Sequence, residues 1–305
     1  VSDYIVHAAV EVRKLKTRRR KEVEVPGYLE RVYIAQPKYD GCNMPVIFDG
    51  ETVQCFSRTN EEVMSVEHIK MAMYTFPNMV PGVYLGECWA PDLTFSEING
   101  LFRRQYMSED SARLQYAIFD YLTLEEWEAG GSNIVYGNRV ARMAPDLSQI
   151  PQGINPIWLG GSFGHIADTW PGTTAQQVCD KLVAVGGYDG LILRDPYGEW
   201  RKGDNGTDGE IIKVKAKVSL DLRVIGYEPG KKANLGKVGS LIVSLNGRPQ
   251  GAGTGLKAHE RDVANFERDW LGKIVEVEAL GYSDDGMLRE PRMKGIRHDK
   301  LEPDA

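Results

Sequence analysis

Lys38-Tyr39-Asp40-Gly41 is the stretch of this chain whose residue types best suit covalent chemistry: an amine beside a carboxylate, after a short strand pattern (Tyr33 to Ala35) and before a hairpin pattern. An amine attacks only in its neutral form, so a reacting lysine needs neighbours that lower its pKa from about 10.4. Lys213 and Lys215 could supply them. Alternate positions on a strand put both ammonium groups on one face, and nearby positive charge disfavours a third. Neither feature is specific by itself: K-x-D-G arises by chance in roughly one in fifteen chains of this length, and alternating lysines are ordinarily a solvated face.

From Tyr33 to about Lys217, short β-branched or aromatic runs are punctuated by Gly, Asp and Pro, the mark of antiparallel strands with few helices. Strands are expected over residues 83–88, 114–122, 191–194 and 211–217. A two-residue hairpin turn is expected at Asp49-Gly50, and a helix over 174–185, opened by Thr174 and closed by Gly186-Gly187. After Lys217 a new series begins: strands over 220–227, 238–245 and 250–255, a helix over 258–271, then strands over 273–282 and 287–296. Three strands, a helix and two strands is the order of a five-stranded OB barrel. The expected fold is therefore α+β, with domains at 1–217 and 218–305.

At 305 residues and 42% hydrophobic content the chain can bury two cores. No signal-peptide pattern or long apolar run is seen, so a cytoplasmic protein without a membrane span is expected. Cys42, Cys55, Cys88 and Cys179 form no C-x-x-C pair, which argues against a zinc knuckle or disulfide framework. A net charge of −6 means that any nucleic-acid surface must be local. Two basic runs could provide it: Lys14 to Lys21, which contains Arg18, Arg19 and Arg20, and Arg289 to Lys300.

The ordered motifs resemble those of the covalent nucleotidyltransferase superfamily, specifically ATP-dependent DNA ligases of the small bacteriophage type. Lys38-Tyr39-Asp40-Gly41 resembles the nucleophile motif. It is followed by Ser57-Arg58-Thr59-Asn60, Gly86-Glu87-Cys88, Ala117-Ile118-Phe119-Asp120-Tyr121, Asp189-Gly190-Leu191-Ile192-Leu193-Arg194, Ile212-Lys213-Val214-Lys215 and Arg297-His298-Asp299-Lys300. Ala233-Asn234-Leu235-Gly236-Lys237-Val238 and Asp285-Gly286-Met287-Leu288-Arg289-Glu290-Pro291 resemble the phage branch. The resemblance implies that Lys38, with Asp40, Lys213 and Lys215, forms a lysyl-AMP from ATP. AMP then passes to the 5′-phosphate of a nick in duplex DNA, and the 3′-hydroxyl displaces it. It also implies Mg²⁺, with Mn²⁺ as a substitute, held by Glu87 and Asp189, because phosphate charge must be offset. Gln36 would recognise the adenine amino group, Phe119 would stack on the base, and Arg58 would contact nucleotide and DNA. Arg297 and Lys300 would orient the leaving pyrophosphate when the barrel closes over the site. Further DNA contacts are implied at Arg18, Arg19, Arg20, Lys231, Lys232 and Lys237. The enzyme would act as a monomer in DNA replication, repair or recombination, in the host cytoplasm if phage-encoded.

Two positions depart from the pattern. Asn43 stands where an Arg is usual, so the contact of that Arg with nucleotide or nick would fall to a neutral amide, which can still hydrogen-bond. Asp189 stands where Glu is usual, a carboxylate shorter by one methylene. Three other readings stay open: an mRNA capping guanylyltransferase using GTP, an RNA ligase, and a DNA-binding OB protein without activity. The phage-like segments and Arg58 favour ligase over capping. Asp40 and the barrel disfavour RNA ligase, and Lys38, Glu87, Lys213 and Lys215 together disfavour an inactive protein.

Overall fold

Short β-branched and aromatic runs pair over long sequence distances to make two main sheets in the first part of the chain, beside two small two-stranded ones. The computed structural model describes residues 4–11, 15–16, 22–23, 32–143, 156–186, 188–204, 208–283 and 285–305. The chain divides into two compact units, Val1–Lys215 and Ala216–Ala305. In the first unit a five-stranded sheet has the order Ile157–Leu159, Gln115–Leu122, Gly82–Trp89, Cys42–Phe48, Val53–Cys55. A four-stranded sheet has the order Val10–Glu11, Ile211–Val214, Tyr188–Arg194, Ile34–Tyr39. The pairings are antiparallel except at two edges, where Val10–Glu11 and Ile157–Leu159 pair in parallel.

Strand Gly82–Trp89 is buried almost throughout because both its faces are covered. Tyr84 and Cys88 enter the main core with Met44, Ile69, Ile98 and Tyr116, while Val83 and Leu85 pack in a second cluster with Trp127 and Trp200. Helices Glu67–Thr75 and Phe95–Phe102 supply Ile69, Met73, Ile98 and Leu101 to the main core. The expected helix is found at Ala175–Val185, where Thr174 and Gln177 form a reciprocal capping box and Gly186 (φ 90°) ends it. Thr94 with Glu97 and Thr123 with Glu126 cap two more helices in the same way, so helix is more plentiful than expected. The hairpin turn falls one residue later than expected. Asp49 N donates to Thr52 O at 3.3 Å, which centres the turn on Gly50-Glu51, and Asp49 Oδ1 accepts from both Glu51 N and Thr52 N. All four cysteines are free thiols. No helix among the described residues is long and apolar enough to cross a membrane.

The second unit is one five-stranded antiparallel sheet in the order Arg248–Ala252, Val238–Leu245, Val218–Pro229, Ile274–Ala279, Arg292–Ile296. Its core is built from alternate residues such as Leu222, Val224, Leu241, Val243, Val275 and Val277. The expectation of a barrel needs correction: among the described residues the sheet is not closed by a ladder. Its edges meet through one isolated parallel bridge, Thr254 to Arg292, with Met293 N donating to Thr254 O at 2.9 Å. The expected helix over 258–271 is also absent. Two 3₁₀ turns, Ala258–Arg261 and Val263–Asn265, precede a single α-turn, Phe266–Asp269. Asp262 interrupts the helix by capping Ala264 N at 3.0 Å and accepting from Asn265 Nδ2 at 2.6 Å. Arg261 is pulled aside as well, donating to the carbonyls of Val238, Gly239, Gly253 and Leu256.

Candidate active site

The K-x-D-G segment is where the chain passes from one sheet to the other. Lys38 lies near the end of strand Ile34–Tyr39, Asp40 and Gly41 make the crossing, and Cys42 begins the next strand in the five-stranded sheet. Gly41 suits that crossing because a Cβ there would sit 2.3 Å from Cys88 O. A cavity of about 340 Å³ opens between the sheets. The four-stranded sheet contributes Gln36, Lys38, Ile192, Arg194 and Lys213 to its wall, and the five-stranded sheet contributes Asn43, Leu85, Glu87, Phe119 and Asp120.

Each of these two sheets carries a β-bulge beside this space. Tyr39 pairs with Tyr188 and Lys38 with Gly190, which leaves Asp189 as the extra residue opposite Lys38. Its Oδ2 accepts from Lys38 Nζ at 2.7 Å and pairs with Lys215 Nζ at 3.2 Å, so one carboxylate sits between two cations. Burial alone would raise the Asp189 carboxyl, but the charges of Lys38 and Lys215 and their hydrogen bonds outweigh it and bring it below the usual range. Gly190 has φ +136°, and a Cβ there would meet Val214 O at 2.2 Å, so the bulge requires glycine. In the other sheet Leu85 pairs with Asp120 and Gly86 with Ile118, leaving Phe119 as the extra residue. Phe119 thus departs from the ladder where it lines the cavity.

Glu87 and Asn43 face each other across neighbouring strands, with Asn43 Nδ2 donating to Glu87 Oε2 at 3.4 Å. Burial pushes the Glu87 carboxyl up to about 7, against the pull of Lys38, Asn43 and Arg58. A half-buried carboxylate with one long hydrogen bond fits a divalent cation, which would restore its charged form. Among the described residues no three metal-ligating side chains gather, so such a cation would complete its shell with phosphate oxygens and water. Asn43 Oδ1, buried and without a hydrogen-bond partner among the described residues, leaves an acceptor where the motif usually has a donor.

The far wall is a polar network that the sequence did not reveal. Asp120, fully buried, takes a bidentate pair from Arg139 at 2.9 and 2.8 Å and is approached by Arg194 at 3.5 Å. Gln36 is held between Arg194 and Tyr136. The available signal was a charge inside an apolar strand, Asp120 after Ala117-Ile118-Phe119 and Arg194 after Leu191-Ile192-Leu193, which must find a partner when buried.

His7, on the short N-terminal segment that lines the cavity, was also missed. It is buried, and its Nδ1 accepts from Arg201 N at 3.3 Å, which puts the neutral ring's proton on Nε2. Nε2 lies 3.9 Å from both Asp204 and Glu210 and has no hydrogen-bond partner among the described residues. Burial lowers its pKa to about 4, opposed by Asp204 and assisted by Arg194 and Arg139. A base with a depressed pKa is protonated in the unfolded chain before the folded one, so stability falls as pH drops from about 6.5 to about 4, by about 3 kcal/mol in all. Denaturant unfolding across that window should show the slope in the wild type and a flatter one in His7→Gln. Equal slopes would remove His7 as its source.

The remaining candidates are dispersed. Arg58 lines the cavity with its guanidinium 4.7 Å over the Tyr4 ring. Arg297 and Lys300 lie in the second unit, where Arg297 binds Asp221 through 3.0 and 2.8 Å contacts and Lys300 reaches Asp221 at 2.6 Å. Lys231, Lys232 and Lys237 share one exposed loop between strands Val218–Pro229 and Val238–Leu245. Arg18, Arg19 and Arg20 lie outside the described residues.

Comparison with known proteins gives this arrangement a relationship. The DNA ligase OB-like domain matches residues 229–297. A DNA ligase of Natronomonas pharaonis is 27% identical over 311 residues, covering 88% of this chain and 52% of that protein. The chain spans about half the length of the curated relatives it matches. Among solved structures, Pmar-Lig_PreS3 has a TM-score of 0.74 at 20% identity, covering 96% of this chain and 68% of the other. The ATP-dependent DNA ligase from bacteriophage T7, in complex with ATP, has a TM-score of 0.53 at 18% identity, covering 96% and 98%. At such identities the structural matches show a shared fold. The chain is thus similar to DNA ligases over 88% of its length, matches the DNA ligase OB-like domain within its second unit, and shares its fold with Pmar-Lig_PreS3 and the bacteriophage T7 ligase.

Proposed function

We propose that this protein is an ATP-dependent DNA ligase that seals nicks bearing a 5′-phosphate and a 3′-hydroxyl. The observation that carries this reading is Lys38 at the seam of two sheets, lining a cavity of about 340 Å³ with its amine 2.7 Å from a bulge carboxylate. In the first step Lys38 Nζ attacks the α-phosphorus of ATP, forming the N–P bond as the bond to pyrophosphate breaks. The amine must first lose a proton, and Asp189 Oδ2 is the acceptor in hydrogen-bond contact with it. Asp189 then passes the accepted proton to water, and with the charge of Lys38 removed by the phosphoramidate its carboxylate is left paired with Lys215. Lys213, on the cavity wall, supplies positive charge to the phosphates. Mg²⁺ would be held by Glu87, and by Asp189 once Lys38 is neutral, and offsets phosphate charge when bound. Mn²⁺ has the same ligand preferences. In the second and third steps AMP moves to the 5′-phosphate, then leaves as the 3′-hydroxyl attacks.

The adenylation domain in this reading comprises residues 1–217 and the OB domain 218–305. Arg58 and the loop carrying Lys231, Lys232 and Lys237 would hold duplex phosphates, giving binding that is sequence-independent and weakens with salt. Arg297 and Lys300 would serve the pyrophosphate of the first step after leaving Asp221. The protein would act as a monomer in the cytoplasm, where ATP and DNA are both present. Labelling the chain with α-phosphate-labelled ATP and Mg²⁺, then chasing with nicked duplex, tests the reading. Label should attach and then leave as the nick closes; label that attaches without sealing points to an RNA substrate, and labelling by GTP alone points to capping.

A further inference from the structure

The polar network on the far wall carries an inference that rests on the reading above and deepens it. Gln36, 6% exposed, uses both ends of its amide: Nε2 donates to the Tyr136 hydroxyl at 3.1 Å, and Oε1 accepts from Arg194 Nε at 3.0 Å. A side-chain amide can turn end for end in nearly the same volume, so its direction must come from its partners. Both partners here act one way only. The Tyr136 hydroxyl donates its single proton to the Phe119 carbonyl at 2.9 Å, so toward Gln36 it can only accept. Arg194 has donors and no acceptor. A reversed amide would set N–H against N–H at Arg194, and at Tyr136 it could be met only if the hydroxyl gave up its bond to the Phe119 carbonyl, so the reversed state loses hydrogen bonds in a buried site.

Arg194 is itself fixed. Its Nη1 lies 3.5 Å from Asp120, which Arg139 clamps, and its guanidinium lies 4.6 Å from the Tyr136 ring centre and 5.2 Å from that of Phe119. Arg194 lines the cavity and Tyr136 does not, so the carbonyl end of Gln36 is the end on the cavity side. Arg194 occupies that oxygen with one hydrogen bond, and a carbonyl oxygen has two lone pairs.

We infer that Arg194 and Tyr136 are positioning residues for nucleotide choice: by fixing the direction of the Gln36 amide they present a carbonyl oxygen that accepts from a 6-amino purine and repels a 6-oxo purine. Asp120 and Arg139 act one step further back, holding Arg194 in place.

The test measures lysyl-nucleotide formation by the full chain with ATP, ITP and GTP, in the wild type and three variants. Arg194→Gln keeps a hydrogen-bonding partner but one that can donate or accept, so it removes the direction. Arg194→Lys keeps a partner that only donates, and Tyr136→Phe keeps the ring and removes the hydroxyl. The wild type should prefer ATP. The ATP:ITP ratio of kcat/KM should fall about tenfold or more in Arg194→Gln and Tyr136→Phe, mostly through KM for ATP, and stay within about threefold in Arg194→Lys. A fall in both rates at constant ratio is what a merely structural role gives, and it overturns the inference. A wild type that labels with ATP and ITP equally, or better with GTP, overturns it as well. A wild type that labels with no nucleotide defeats the ligase reading itself, a failure distinct from an unchanged ratio.

Discussion

Lys38→Arg should abolish lysyl-AMP formation, by on the order of 10⁴-fold or more, while leaving the protein folded. A guanidinium stays protonated at any working pH and so has no lone pair with which to attack phosphorus. It does retain the positive charge that Asp189 requires. That carboxylate is little exposed and holds Lys38 at 2.7 Å and Lys215 at 3.2 Å, so removing one cation outright, as in Lys38→Ala, would leave it with Lys215 on that oxygen. Arginine is therefore the cleaner substitution, and its melting temperature should stay close to that of the wild type. The last step makes no bond to Lys38. Nicked DNA that already carries AMP on its 5′-phosphate should accordingly still be sealed by Lys38→Arg, though ATP with unmodified DNA should not. Covalent label on Lys38→Arg at wild-type levels would place the nucleophile elsewhere.

How much of this site the sequence disclosed depends on how each residue is held. Lys38 and Lys213 lie on strands that local pattern predicts, whereas Lys215 falls one residue past the strand Ile211–Val214, short of the expected end at 217, so alternation alone does not place it. Glu87 and Asp189 were found through motif resemblance, and the structure brings Lys38, Asp189 and Lys215 into contact. The bulges that aim Asp189 and Phe119 were invisible, since a bulge is a relation between two strands and each strand alone reads as regular. The Asp120–Arg139–Arg194–Gln36 network joins positions up to 158 residues apart, which local pattern cannot report. Short-range errors have a different origin. Thr94-x-x-Glu97 and Thr123-x-x-Glu126 are capping boxes legible in the sequence, each opening a short helix in a region whose prevailing pattern is strand. The segment over 258–271 has helical periodicity, but Asp262 offers its own side chain to the backbone and Arg261 finds four carbonyls, so local and tertiary hydrogen bonds override the pattern.

Glu87→Gln should make the protein more stable above neutral pH and far less active, a pairing that separates a working carboxylate from a structural one. The Glu87 carboxyl titrates near 7 in the fold against about 4.5 unfolded, chiefly because burial disfavours its charge. For an acid whose folded pKa is raised, the folded state holds its proton longer. The stabilisation that proton brings is fully present below about 4.5 and is lost as pH rises through about 7. At pH 8 the ionised group therefore costs about 3 kcal/mol relative to a neutral one of the same shape. Glutamine removes that cost, so denaturant unfolding at pH 8 should show the variant more stable by up to about 3 kcal/mol, with the gap closing near pH 4.5. Mg²⁺ with ATP should raise the melting temperature of the wild type more than that of the variant, since a neutral amide is a poorer ligand for a hard cation. Lysyl-AMP formation should fall by roughly 10² to 10³, the scale of losing one charged group that acts on the reacting phosphates. If the variant is instead less stable at pH 8, the Asn43–Glu87 contact at 3.4 Å matters more to the fold than burial of the charge, and the cavity wall is not strained by this carboxylate.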